Sequence, residues 1–122
     1  MSLTSKRIGI VGSREFQNWE QLKREIDKII QEDDEIISGG ARGADSMAQR
    51  YAKTYGHNMQ IKYPKYARYG PGATFVRNKV IVENSDIILA FYQKGKFQQG
   101  GTANTAKWAR ELDCPLYEFE EE

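Results

Sequence analysis

The sequence predicts a three-layer α/β fold built on a mainly parallel five-stranded sheet. Two observations predict it. Apolar runs of strand length alternate with stretches whose apolar residues recur at helical spacing. Glycines close the first two of those runs and lie in the loops after the next two, as they do where a strand turns into a helix. Strands separated by helices need crossover connections, which set the strands parallel and cover both faces of the sheet.

The elements follow in order. Residues 7–12 (RIGIVG) are an apolar run ended by glycine, the pattern of a buried strand. Asn18 precedes Trp19, Glu20 and Gln21 at the spacing of a capping box, with Asn18 as cap and Gln21 as its answering residue. Trp19, Leu22, Ile26, Ile29 and Ile30 then recur at helical spacing. Residues 35–38 form a second strand that ends in Gly39 and Gly40. A helix from about Ala44 carries Met47, Ala48, Tyr51, Ala52 and Tyr55 on one face and stops at Gly56.

Residues 58–63 (NMQIKY) alternate weakly and predict a third strand before Pro64. Residues 64–72 (PKYARYGPG) read as a long loop, because two prolines and two glycines interrupt regular structure. Residues 73–84 predict a helix that buries Ala73, Val76 and Val80. Residues 86–92 (DIILAFY) are the clearest strand, and residues 95–101 a flexible loop. A helix starting near Thr102 turns Ala106, Ala109 and Leu112 inward. Residues 115–119 make an edge strand, since Pro115 lacks a ladder donor. Right-handed crossovers give the Rossmann-like order 3-2-1-4-5, with 2-1-3-4-5 as the alternative. The expected organisation is one domain over residues 1–122.

Composition narrows the function classes. Eighteen basic residues against seventeen acidic leave a net charge of +1, which disfavours nucleic acid as a partner held by bulk electrostatics. A local basic run remains in Lys62, Lys65, Arg68, Arg77 and Lys79, while Glu118, Glu120, Glu121 and Glu122 read as a solvated acidic end. Cys114 is alone, so no internal disulfide forms and a reducing compartment fits. The apolar run near the start is too short for a signal peptide or a membrane span, so the expected location is cytoplasmic with no membrane partner. No cluster has metal-ligand spacing, and His57 beside Gly56 reads as a helix-end cap. Trp19 and Trp108 read as core or interface residues. The expectation is a protein with no cofactor and no metal, compatible with a homo-oligomer.

In a parallel α/β sheet, ligands bind outside the carboxyl ends of the strands. Gly12, Ser13 and Arg14 follow the first strand; Gly39, Gly40, Ala41, Arg42 and Gly43 follow the second. Gly70 and Gly72 follow the third, and Gly100, Gly101 and Thr102 the fourth. Glycines let backbone approach a ligand, and the helix ends that follow suit phosphate. One such turn is more often plain connection chemistry; several on one crevice predict a binding site. The standard nucleotide motifs nevertheless fail. Residues 9–12 lack the dinucleotide spacing, and in residues 95–102 (GKFQQGGT) Gly101 stands where a P-loop needs lysine. Nicotinamide cofactors and ATP hydrolysis are disfavoured. Ser13 has no evident base, so it is a poor nucleophile.

Residues 10–14 (IVGSR), the GGARGAD segment, Tyr69-Gly70 leading to Arg77-Asn78, and residues 86–91 followed by Gly100-Gly101-Thr102 together resemble the SLOG superfamily. The likeness is greatest to its small stand-alone YpsA-related proteins, and more distant to Lonely Guy phosphoribohydrolases and DNA-processing protein A. The resemblance implies a Rossmann-like fold whose glycine loops hold a nucleotide or nucleotide-derived ligand. On it, Gly40 and Gly43 would shape a phosphate cradle with Arg42 beside it. Arg77 would be the helix-borne arginine that faces the ligand, and Gly100, Gly101 and Thr102 the second phosphate loop. Gly12, Ser13, Arg14, Gly39, Asp45 and Asn78 complete the expected site. Tyr66, Arg68 and Tyr69 would form a cover over it.

One departure bears on activity. The phosphoribohydrolases carry P-G-G-x-G-T-x-x-E, whose glutamate takes part in breaking the N-glycosidic bond. Here Thr105 stands where the acid is expected, and the leading proline is missing. Asp45 and Glu83 are weak substitutes. The expected function is a sensor or carrier for a nucleotide-derived phosphate ligand without strong catalysis. The alternative is an N-glycosidic hydrolase, and the lesser alternative nucleic-acid binding.

Overall fold

The computed structural model describes residues 5–122. Its strands are β1 (Arg7–Gly12), β2 (Glu35–Ser38), β3 (Met59–Ile61), β4 (Ile87–Tyr92) and β5 (Leu116–Glu120). The helices are α1 (Trp19–Asp27), α2 (Ala44–Tyr55), α3 (Tyr66–Tyr69), α4 (Ala73–Glu83) and α5 (Gly100–Glu111). All strand pairs are parallel and the order is β3-β2-β1-β4-β5, the Rossmann-like order predicted from crossover handedness.

The alternation of strand side chains makes the three layers. Ile8, Ile10, Ile36, Leu89 and Phe91 point to one face, where they pack with Phe16, Leu22 and Ile26 from the α1 region and Ala44, Ala48, Tyr51 and Ala52 from α2. Their neighbours Val11, Ile37, Ile88, Ala90 and Tyr92 point to the other face, against Ile81 and Val82 of α4 and Ala109 of α5. Both faces of β1, β2 and β4 are therefore apolar, as central parallel strands require. Gly9 sits on the second face, where an added Cβ would collide with Ile88 and come within 2.6 Å of the Ser85 hydroxyl.

Several local expectations need correction. β3 is shorter than residues 58–63, because Pro64 and weak alternation leave few paired positions. Residues 64–72 are not irregular: they hold α3 and a 3₁₀ turn, Gly70–Gly72, whose proline lies where a first turn tolerates it. α1 stops at Asp27, and Ile29 and Ile30 pack from the following turn. α5 begins two residues earlier than expected, at Gly100. Val76 and Leu112 are exposed rather than inward, and α4 buries Asn78, Ile81 and Val82 instead.

The capping box is half made. Asn18 Oδ1 accepts the Gln21 amide at 3.0 Å, but the Gln21 side chain turns away, donating to the Glu120 carbonyl and accepting the Glu122 amide. That contact changes the reading of the acidic end. Glu118 accepts the Tyr92 hydroxyl at 2.6 Å and pairs with Arg110, while Glu121 accepts the Gln17 amide at 2.8 Å. The acids tie β5 to both helical layers and are not a loose solvated end.

Candidate functional site

A cavity of about 730 Å³ opens at the carboxyl edge of the sheet, within the size range of small-molecule sites. Its walls come from the ends of β1 and β4, the loop before α2, the first turns of α4 and the start of α5.

Topology sets the first wall. β1 and β4 are adjacent, and their last paired residues are Gly12 and Phe91. The chain leaves β1 through Ser13, whose amide donates to the Phe91 carbonyl at 2.9 Å and whose hydroxyl accepts the Glu15 amide at 3.0 Å. Gly12 is needed because a Cβ there would lie 2.5 Å from both the Ala44 Cβ and the Phe91 oxygen. Exposed Arg14 follows and faces the cavity.

The loop between β2 and α2 is filled by the protein itself. A Cβ on Gly43 would collide with the Ser13 carbonyl, and the residue takes a φ of +75°. Gly40, at φ +80°, is covered by Tyr63 and Ile61, and Gly39 is wedged between the Arg77 guanidinium and the Asp45 carboxyl. Of this segment only Ala41 and Asp45 reach the cavity. Arg42 lies outside it, exposed and paired with Glu15 at 2.5 Å.

Asp45 is 6 % exposed. Its carboxyl meets the Ala41 amide at 3.1 Å and the Ser38 hydroxyl at 3.0 Å. Burial holds its pKa above the ordinary carboxylate range, against the pull of the Ala41 amide and of Arg77 and Arg14. Arg77, half-buried on α4, spends its Nη1 on two carbonyls, Gly39 at 2.7 Å and Lys62 at 3.3 Å. Its Nε donates to Asn78 Oδ1 at 3.0 Å. Asn78 passes the connection on, with Nδ2 donating to Asn104 Oδ1 at 3.1 Å and to the Gly101 carbonyl at 3.4 Å. Arg77 and Asn78 thus brace α4 against both glycine loops while lining the cavity.

The start of α5, like those of α2 and α4, has no side-chain cap, but its glycines face open space. A helix's first amides have no partner within the helix. Gly100 sits at φ +76°, and a Cβ on Gly100 or Gly101 would touch nothing within 4 Å. Thr102 and Thr105, three apart and on one helical face, line the cavity. They are 9 % and 2 % exposed; no described residue bonds either hydroxyl, and both hydroxyl oxygens stay open to the cavity. Lys96, Gln93 and Gln99 stand beside them. The lining therefore holds three cationic side chains, Arg14, Arg77 and Lys96, and one acid, Asp45.

The remaining expected residues lie elsewhere. Glu83 belongs to a shallow hollow with Asp86, Cys114 and Pro115 at the opposite, amino edge of the sheet. Tyr66, Arg68 and Tyr69 are exposed on α3 and do not line the cavity, although Tyr66 is close enough to influence Arg77. Thr105, Lys96, Gln93, Gln99, Thr74 and Phe75 were missed. Thr105 carried a readable signal, being one helical turn beyond Thr102. Among the described residues no group of His, Cys, Asp and Glu could hold a metal ion, and no helix is long and apolar enough to cross a membrane.

Comparison with known proteins agrees with the fold. Residues 6–65, just under half the chain, match the family model described as the YspA, cpYpsA-related SLOG family, which bears out the SLOG resemblance. The solved structure of DNA processing protein A from Helicobacter pylori, described for its unique single-stranded DNA binding mode, is similar with a TM-score of 0.68 at 20% identity. The likeness covers 92% of this chain and 64% of that one, and at such identity it concerns the fold. No curated protein matches the chain.

Proposed function

We propose that this chain, whose first half matches the SLOG family and whose fold is Rossmann-like, binds a nucleotide or nucleotide-derived phosphate ligand. The phosphate would sit at the open start of α5 and act as a signal or cargo rather than a substrate. The observation that carries this reading is the pair of Thr102 and Thr105 hydroxyls, which no described residue bonds and which open on the cavity beside an uncapped helix amino end. Two hydroxyls that the chain leaves unbonded on one cavity wall are free to donate to acceptor oxygens from outside it. Free amides and the positive helix end favour an anion, and Arg14, Arg77 and Lys96 favour it further.

Turnover is not expected. Cleaving an N-glycosidic bond needs a base to activate water, which contributes about 10²–10⁴-fold. Thr105 occupies the place of the phosphoribohydrolases' acid, Glu83 is at the wrong edge, and Asp45 is held by Ser38 and Ala41. Calorimetry with AMP, ribose 5-phosphate and adenosine tests the reading. Binding of the first two but not of adenosine supports it; preference for adenosine, or none for any, sinks it. Release of ribose 5-phosphate from AMP, lost in Asp45→Asn, would promote the hydrolase alternative.

A second reading rests on a separate observation. Tyr63, Tyr66, Tyr69 and Phe75 are all exposed, between 39% and 62%, and Lys65 and Arg68 flank them. Aromatic faces among cations suit stacked bases of a single strand, the ligand named for the DNA-processing relative. Fluorescence anisotropy with a labelled oligothymidine separates the two: micromolar binding competed poorly by AMP favours the strand. The cover role of Tyr66, Arg68 and Tyr69 is part of either reading, and hydrogen exchange across residues 64–72 should slow when ligand is added.

A further inference from the structure

We propose that Asp45 stands at the wall of this cavity as a neutral carboxylic acid, and that its proton sets the cavity's selectivity for anions. The argument is a count of protons. The Ser38 hydroxyl lies 2.6 Å from the Ile10 carbonyl and 3.0 Å from Asp45 Oδ1. A hydroxyl has one proton to give and a carbonyl none. At 2.6 Å the contact with Ile10 requires the serine proton. The bond to Asp45 then needs a second proton, which only the carboxyl can carry. The chain runs from the Asp45 hydroxyl to Ser38 and from Ser38 to Ile10, while Oδ2 accepts the Ala41 amide.

Arg77 is consistent with this. Its Nη1 and Asp45 Oδ2 both lie within 3 Å of the same point beside Gly39, yet the two form no ion pair, and Nη1 donates to two backbone carbonyls. A guanidinium beside a carboxylate would normally take it as a partner. Burial of Asp45 acts in the same direction. The charged groups that face it are Arg77 from α4 and Arg14 from the loop after β1, and both favour its ionised form. Desolvation is the larger effect.

The consequence concerns ligands, and it rests on the anion-binding reading above. With Asp45 neutral, the cavity presents Arg14, Arg77 and Lys96 without a counter-charge. Ionisation of Asp45 would place a negative charge on its wall and weaken anions there. An acid whose pKa is raised by folding favours the folded state below its unfolded value of about 3.9, and that contribution is lost as pH rises through the folded value. Anion affinity should fall through the same window.

Carbon NMR of the ligand-free protein tests the proton directly. The Asp45 carboxyl carbon should keep the shift of a protonated acid well above pH 4, roughly the ordinary midpoint for an aspartate. Titration at the ordinary value overturns the proposal, whatever the protein binds. Sulfate, a dianion across this range, then tests the consequence, read from the amide shifts of Gly101 and Thr102. Its affinity should fall about tenfold as Asp45 ionises, and that fall should vanish in Asp45→Asn, whose amide can donate to Ser38 and accept from Ala41. An unchanged pH dependence in Asp45→Asn overturns the selectivity claim. Thermal melts guard against misfolding: Asp45→Asn should melt no lower than the parent above the folded pKa, whereas a clear loss there identifies a paired carboxylate and sinks the idea.

Discussion

The two glycine-rich loops at the carboxyl edge look alike in sequence and do opposite things. In residues 39–43 the space a side chain would need is taken by the protein: by Arg77 and Asp45 at Gly39, Tyr63 and Ile61 at Gly40, and Ser13 and Arg14 backbone at Gly43. At Gly100 and Gly101 the same space is empty. Glycine marks close approach of backbone to something; it does not say whether that something is the chain itself or a guest. The first loop is a packed joint that seats α2 on β1. The second is an open edge with unpartnered threonines.

Substitutions can break or sharpen this contrast. Gly43→Ala should have the largest effect, about 3 kcal/mol of lost stability, because it adds a collision with backbone to a strained positive φ. Urea denaturation measures it, and a change within error would mean the joint has slack. Arg77→Ala comes next, at about 1–2 kcal/mol, since it leaves the Gly39 and Lys62 carbonyls without their donor. It should also weaken AMP, so stability and binding fall together.

The open loop should behave in reverse. Thr105→Val keeps the shape and removes a hydroxyl that opens on the cavity and that no protein group bonds, so stability should hold within about 0.5 kcal/mol. AMP affinity should drop roughly tenfold on the same change, by calorimetry. Gly101→Ala should gain about 0.5–1 kcal/mol, because alanine restricts the unfolded chain at a helical position with free space around it. Its methyl should cost AMP about tenfold in affinity. Smallest of all is Arg42→Ala, an exposed pair with Glu15 outside the cavity. It should leave the melting temperature unchanged and weaken AMP less than Arg77→Ala does.

Much of the fold was readable because strand and helix periods are local properties. The runs at residues 7–12 and 86–92 are apolar on both faces, and both became central strands, β1 and β4. Residues 64–72 were misread because proline and glycine were treated as interruptions, although each sits where a short helix or a 3₁₀ turn accepts it. The acidic end was misread because its role depends on Gln17, Gln21, Tyr92 and Arg110, all distant in sequence.

The candidate site divides the same way. Local pattern alone determined that glycine-bearing strand ends would gather at one edge, since a parallel sheet puts every carboxyl end on the same side. It also determined that Thr102 and Thr105 would share a helical face, a consequence of the 3.6-residue period. Only the tertiary structure decided which glycines touch protein and which touch space, that Arg42 turns out to Glu15 while Arg77 turns in, and that Glu83 lies at the far edge. Those outcomes depend on which side chains from other elements fill each volume first. That is a property of packing among distant residues, and no local pattern contains it.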